Sequence, residues 1–358
     1  VGVSPIHASV IEPGHFRFMC LGEREHHLEI QLGYQHRGVE SLLLQRPPLT
    51  LTALVESIAG DSSVTYASAY CAAVEALAGV SIDPSASLVR GVALELERIA
   101  IHLASVTGLA GDIAFLQGAS TYGRLRTAII NASMRACGSR FGRGWLRPGG
   151  VRFGLNAERR TDLTNTLAAF AKDLAEINAL MRSARTVSPR LQGIGQLSAS
   201  AAQDLGLWGL AARASGLAVD TRACLPGKLY ESFPVEEQTE SSRDCWALMQ
   251  LRLKEIDASV RWINSALQST DLDEVSQPIH PTLGLKPDHL CVSTCEGPRG
   301  PVMHVLETDS DAKLAHYKVQ DSSLQTWFAL AMSLRDNDIS DFPICNKSFD
   351  LSYCGNDL

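Results

Sequence analysis

The sequence predicts an α+β fold that is mainly α: a helical bundle core with a small antiparallel β-sheet built from the N- and C-terminal regions. Three observations carry this. Residues 15–34, HFRFMCLGEREHHLEIQLGY, alternate on either side of Leu21-Gly22-Glu23, the pattern of a β-hairpin. In 161–183, Leu163, Leu167, Phe170, Leu174, Ile177 and Leu180 recur every three or four residues, one apolar stripe on a helix. Further on, PVMHVLET and KLAHYKVQ flank Asp309-Ser310-Asp311, a second hairpin.

The remaining elements follow in order. Residues 49–79, 90–108 and 120–137 have helical spacing. Thr161 is placed to cap the 161–183 helix. A second long helix covers 241–268, with Trp246, Met249, Leu253, Ile256, Val260 and Ile263 on one face. A last helix at 322–335 leads into an irregular tail, 336–358. No internal repeat or low-complexity linker divides the chain. It reads as one domain, 1–358, with hairpins at 1–35 and 296–320, a helical core over 49–295, and a tail that returns to the site described below.

Bulk composition excludes several classes. With 358 residues, 45% of them apolar and 20% charged, the chain buries a sizeable core. A formal net charge of −7 argues against nucleic acid as a partner. Arg outnumbers Lys 25 to 7, which favours forked contacts over solvated tails. No run of about 18 apolar residues lacks a charge, so no membrane span is expected. The first residues show no basic leader or signal-peptide core. Nine scattered cysteines with no CxxC suit a reducing compartment; Cys291 and Cys295 are a weak metal signal. No phosphate loop, GxGxxG turn or nucleophile elbow points to an independent soluble enzyme. His26 and His27 are strand residues, and His102, on an apolar helix face, is a core histidine.

Five local patterns occur in order along the chain. They are Tyr34-Gln35-His36-Arg37-Gly38-Val39-Glu40; Glu95 to Arg98 with His102-Leu103; Leu146-Arg147-Pro148-Gly149-Gly150-Val151; Asp204-Leu205-Gly206 with Arg213-Ala214-Ser215-Gly216 and Asp220-Thr221-Arg222; and Glu296-Gly297-Pro298-Arg299-Gly300. In this order they resemble GYxHRGxE, ExxRxxxHL, RPGGV, DLG…RASG…DxR and ExPRG. These belong to the large subunits of energy-converting nickel–iron hydrogenases and to the related D-type (49 kDa) subunit of respiratory complex I. HASVIEPGHFRF and NKSFDLSYCGNDL look closer to the hydrogenase-like branch.

The resemblance implies a place for metal and shows what stands there. In those hydrogenases two CxxC pairs hold nickel and iron, and soft thiolate suits such a centre. The first pair falls on Ala59 and Ser62, in Glu56-Ser57-Ile58-Ala59-Gly60-Asp61-Ser62-Ser63. The second falls on Ser352 and Gly355, with Cys354 one residue out of register. The expectation is therefore a vestigial site, with no metal and no cofactor bound by this chain. In the complex I branch a quinone-bonding Tyr falls on Gly60, an Arg on Ser57, and a cluster-side His near Gly142 or Arg143. His7, in SPIHAS, is a candidate to face the cavity, and Gly60, Asp61, Tyr66 and Cys354 are candidates to line it. Asp61, Ser62 and Ser352 would form a polar pocket, with Cys345 and Cys354 the nearby thiols. Glu40 has two readings, a proton relay or a buried ion pair with Arg37 or Arg147. His36 and Arg37 would border an iron–sulfur partner, and Arg143 and Arg147 a subunit contact.

Implied partners are a small subunit with a 4Fe-4S cluster, a complex I C-like subunit, and membrane subunits that move ions. The implied location is peripheral, on the cytoplasmic side of the membrane. Two roles stay open: a redox pocket for a quinone or other acceptor, or a structural and coupling subunit without substrate. Whether the chain is itself an enzyme stays open with them; it would be an oxidoreductase subunit without nickel–iron catalysis of its own.

Overall fold

The apolar stripes become a layer of long helices. The structure is a computed structural model; it describes residues 1–3, 5–7, 10–269, 272–273 and 283–358, without the side chains of Lys228 and Ser269. The stretch 274–282 of the expected helical core, and Ser4, Ala8 and Ser9 of the first motif, lie outside the described residues.

In chain order the strands are β1 (Gly2–Val3), β2 (His15–Leu21), β3 (Arg24–Gln31), β4 (Leu146–Arg147), β5 (Gly150–Val151), β6 (Leu290–Glu296), β7 (Pro301–Thr308) and β8 (Leu314–Gln320). The helices of the first half are α1 (Val39–Leu44), α2 (Thr52–Val55), α3 (Ser63–Ala78), α4 (Pro84–Asp112), α5 (Leu116–Cys137) and α6 (Ala157–Ser183). Four short helices follow: α7 (Ala199–Asp204), α8 (Gly209–Ala214), α9 (Thr221–Cys224) and α10 (Gly227–Ser232). The last are α11 (Cys245–Ser269), α12 (Thr326–Ser333) and α13 (Phe342–Phe349). No helix among the described residues is long and apolar enough to cross a membrane.

The mainly α reading holds, with four corrections. The expected single sheet is two: β1-β2-β3 and β6-β7-β8, each antiparallel, with a separate β4-β5 hairpin inside the helical region. The sequence reading missed β6, because Leu290–Glu296 interleaves Cys, Ser and Thr and lacks a clean polar alternation. The expected 49–79 helix is broken over residues 56–62, where the loop of interest lies. The tail is not irregular throughout, since it carries α13.

Two smaller shifts have local causes. Asn156, not Thr161, caps α6: its side-chain oxygen accepts from the Arg159 N–H at 2.9 Å, while the Thr161 hydroxyl bonds back to the Ala157 carbonyl. Along α6 the stripe ends on buried Met181, and Leu180 is 38% exposed. From Ile177 the next position on the core face is four residues on, because the period is 3.6.

The helix α4 runs through the middle, packed by α5, α11 and α13. From Leu88 to Leu103 every residue is buried, charged ones included. Burying each large apolar side chain contributes about 1.5–3 kcal/mol, but a buried charge needs a partner. Those partners come from α3, α9, α11 and β6.

Candidate functional site

The loop 56–62 and the tail 350–357 face each other, joined by Arg299 from the turn between β6 and β7. Its Nη2 donates to Asp61 Oδ2 at 2.8 Å and to Asp350 Oδ2 at 3.2 Å. Its Nη1 reaches Asp61 Oδ1 and Ser62 Oγ, both at 3.3 Å, and its Nε donates to the Asp350 carbonyl. The Arg299 guanidinium holds the Asp61 carboxyl below the usual carboxylate range, although burial alone would raise it. The two aspartates in turn push Arg299 further up against the opposing effect of burial. Arg37 fixes the outer side. It donates to the Ser57 and Ile58 carbonyls at 2.8 and 2.7 Å and to the Cys354 carbonyl at 3.4 Å.

Arg37 and Arg299 hold the loop that carries Ala59 and Ser62 against the tail that carries Ser352 and Gly355, and side chains crowd Gly355. Ser352 Oγ accepts from the Gly355 N–H at 3.0 Å, and the Ser352 N–H donates to Ser323 Oγ at 2.9 Å. Tyr66 donates its phenolic hydrogen to Asp321, which also accepts from the Ser323 N–H at 2.7 Å. A Cβ at Gly355 would lie 2.4 Å from Asp321 Oδ2 and 2.7 Å from both Ser352 Oγ and Tyr66 Oη. There is no room for a side chain at that position. Ala59 offers no donor atom, and the hydroxyls of Ser62 and Ser352 are weaker ligands than thiolate. The residues present do not fit a four-thiolate nickel–iron centre. Among the described residues no group of three or more His, Cys, Asp or Glu side chains could hold a metal ion.

The other expected residues separate into three groups. His36, Arg37, Gly60 and Arg143 are exposed, and Arg143 Nε donates to Ser63 Oγ at 3.2 Å. A Cβ on Gly60 would sit 3.5 Å from Arg143 Nη2, and Arg37 holds the nearby Ser57 and Ile58 carbonyls, so Arg37, Gly60 and Arg143 share one rim, with His36 next to Arg37 in the chain. His7 is exposed on the N-terminal segment. Arg147 is half-buried, with its Nε unpartnered; burial and neighbouring Arg152 both pull it down. Glu40 requires a correction. Its partners are Lys318 Nζ at 2.5 Å and the Val319 N–H at 3.1 Å, not Arg37 or Arg147. This ties α1 to β8, an assignment the missing sheet partner hid from the sequence. Cys354 lies 3.8 Å from Ser352 Oγ, and burial and Glu12 push its thiol up. Cys345 is not part of the site: its sulfur lies 3.8 Å from that of Cys245.

Behind the site, the sequence motifs converge on one buried network. Arg98 donates to Glu95 and to the carbonyls of Glu296 and Gly297 at 2.8–3.0 Å. Arg213 bonds Glu255 at 2.6 Å and Glu296 at 2.9 Å. Arg222 bonds Asp220 at 2.7 Å and Glu95 at 3.1 Å. His102 is a satisfied core histidine, 2.8 Å from Glu255; burial takes it down to about 4. Thus α4, α8 and α9 grip the turn that presents Arg299, and α11 supports it through Glu255, which holds Arg98 and Arg213. Arg252, from α11, grips the tail by donating to the Ser348 and Phe349 carbonyls. The motif spacing pointed at Glu95, Arg98, Arg213, Arg222 and Arg299 but not at their mutual contact. Asp321, Glu97 and Arg252 were missed, and no local pattern marks them.

The family of the respiratory-chain NADH dehydrogenase 49 kDa subunit matches residues 112–287. The carbon monoxide-induced hydrogenase of Rhodospirillum rubrum is 28% identical over 352 residues, 98% of this chain and 96% of the relative. NADH-quinone oxidoreductase subunit 4 of Thermus thermophilus is 30% identical over 321 residues, 89% of this chain and 74% of the relative. Formate hydrogenlyase subunit 5 of Escherichia coli is 27% identical over 354 residues, but the chain spans only 62% of that relative.

Proposed function

Because the chain belongs to the family of the respiratory-chain NADH dehydrogenase 49 kDa subunit, and has hydrogenase-like relatives along its whole length, we propose that it is the large subunit of a membrane-associated oxidoreductase whose nickel–iron site has become a polar lock. Its task is structural and coupling: it packs against a small subunit that carries a 4Fe-4S cluster and passes redox-linked change toward a membrane arm. A complex I C-like subunit and ion-moving membrane subunits complete the assembly, which sits on the cytoplasmic side. The chain binds no metal of its own.

One observation carries this reading. The place of the fourth thiolate is taken by Tyr66, Asp321 and Ser352, and Arg299 closes the rest by joining loop to tail. Exposed His36, Arg37 and Arg143 near Gly60 support a docking rim for the cluster subunit. Guanidinium groups beside a cluster would raise its potential. The alternative, a quinone site, has less support. Tyr66 is tied to Asp321, and Gly60 supplies no side chain where the resemblance places the quinone-bonding phenol.

Metal analysis of the native assembly, purified intact, tests the proposal. Iron without nickel, in a complex containing a small cluster protein, is the expected result. Nickel equimolar with the chain overturns it. Quinone-reductase activity lost on substituting loop residue Asp61 would transfer the assignment to the alternative.

A further inference from the structure

The guanidiniums around the Glu296–Gly300 turn are all in use, and three buried carboxyls are left over. Arg98, Arg213 and Arg222 are matched by Glu95, Asp220 and Glu255. Arg299 serves Asp61 and Asp350, and Arg252 lies beside Asp350. That leaves Glu97, Glu296 and Asp321, exposed by 7%, 3% and 5%. Each accepts hydrogen bonds, but none has a cation to itself. Glu296 shares Arg213 with Glu255 and Asp220. A buried carboxylate without its own counter-charge costs several kcal/mol, so the group takes up a proton instead.

The three form a line across α3. Asp321 receives the Tyr66 hydroxyl. Glu97 receives the Thr65 hydroxyl at 2.5 Å and the Val64 and Thr65 N–H groups at 2.6 and 3.0 Å. Thr65 in turn packs on Gly297, next to Glu296. Glu97 borders a small cleft of about 20 Å³ beside Asp61 and Arg140, whereas Glu296 faces a far larger opening. With Thr221, Arg222 and Cys295 it lines a groove of about 300 Å³ between α3, α4, α9 and α10. A space of that size admits many waters. Ser68 Oγ, buried and without a protein partner, lines the same groove.

We propose that Glu296 holds a proton in the resting protein and exchanges it with solvent through this groove, so that it is a proton-loading residue behind the Arg299 turn. In the structure Oε2 accepts from the Thr221 hydroxyl at 2.6 Å and from the Thr221 N–H at 3.2 Å; when Oε2 carries the proton, the hydroxyl turns to accept it, while Oε1 goes on accepting from Arg213. The groups facing it are Arg213 on α8, Asp220 and Thr221 on α9, Arg98 on α4 and its neighbour Cys295. Burial and Asp220 raise its carboxyl above the ordinary range, and Arg213 and Arg98 only partly offset them. The thiol of Cys295 is pushed up to about 12 and stays neutral. Loss of the proton would set a second negative charge against Asp220 and draw Arg213 and Arg98 toward Glu296. Because Arg98 holds the Glu296 and Gly297 carbonyls, the Arg299 turn would feel that change. The inference does not depend on whether metal is absent from the site.

The test compares Glu296→Gln with Glu255→Gln in the full chain, by thermal unfolding and infrared spectroscopy at neutral pH. Gln is isosteric with the protonated acid: its amide can donate to Thr221 and its oxygen can accept from Arg213. E296Q is expected to melt close to the wild type, while E255Q, which removes a charge shared by Arg98, Arg213 and His102, melts much lower. The wild type should show the carbonyl stretch of a protonated carboxyl; a component of it should shift in heavy water without unfolding and be missing in E296Q. Equal destabilisation by the two variants, a band unchanged in E296Q, or a Glu296 component that resists exchange in the folded protein would each overturn the proposal.

Discussion

Gly209 and Gly300 meet backbone to backbone: a Cβ on Gly209 would lie 2.2 Å from the Gly300 Cα. Both have positive φ, 67° and 141°. The contact presses the start of α8 onto the Arg299 turn, and no flexible side chain is present to yield. Gly209→Ala is expected to lose at least about 1–2 kcal/mol from the left-handed backbone alone, and more from the clash. Denaturant unfolding measures it. A variant as stable as the wild type would mean that the two backbones do not touch.

Arg299 is the cross-link between loop and tail. Arg299→Ala leaves Asp350, whose side chain is 17% exposed, with only the nearby Arg252 as counter-charge, and Asp61, 41% exposed, with solvent. Breaking a fully buried pair costs about 3–5 kcal/mol; with this exposure about 2 kcal/mol is expected. Hydrogen exchange should quicken in 350–357 and in 59–62 together. The sign with pH follows from Asp61. Its folded carboxyl lies below the unfolded value of 3.8, so its stabilisation is present above that pH and is lost as acid protonates the folded state. The variant should show a flatter acid limb.

Glu25 carries the opposite sign. It is fully buried, neither of its oxygens has a partner, and burial raises it to about 7 against the pull of Arg335. The folded state therefore holds a proton that the unfolded chain releases near 4.5. Stability is full below that value and declines as pH rises toward about 7, by on the order of 2–3 kcal/mol. Glu25→Gln should remove that decline. Chemical unfolding of both proteins at a series of pH values decides it, and an identical slope counts against the assignment.

The nine cysteines should differ sharply toward an alkylating reagent. Cys224 is exposed and reacts first. Cys71 is pushed up to about 12 by burial, and Cys71, Cys245 and Cys345 are all fully buried. These three should stay unlabelled until the protein unfolds, as read by mass spectrometry of native and denatured samples.

The long helices were legible because each carries its own period: Leu163 to Ile177 and Met249 to Ile263 face the core as their spacing requires. That Ala59, Ser62, Ser352 and Gly355 are former ligand positions comes from the resemblance, and the proposed function rests on that register. The sequence did not show what surrounds them. Asp321 follows a strand with no motif around it, and Glu97 reaches back to cap the start of α3, an element remote in sequence. Glu40 went to Lys318 because that partner lies on a sheet whose packing no local pattern describes. Charges are placed by tertiary neighbours, and periodicity reports only on the helix or strand that bears it.

Arg37 and Asp357 give the site a timetable. Asp357 accepts the Gly33 and Gln35 N–H groups at 2.7 and 3.0 Å, across 324 and 322 residues of chain, and Arg37 reaches the Cys354 carbonyl across 317. During synthesis the early loop therefore leaves the ribosome long before the segment that completes it. Until that segment arrives, Asp61 and the backbone around Ala59 stay open to water. A partner that recognises the open rim would have that interval in which to engage it before the tail closes over it.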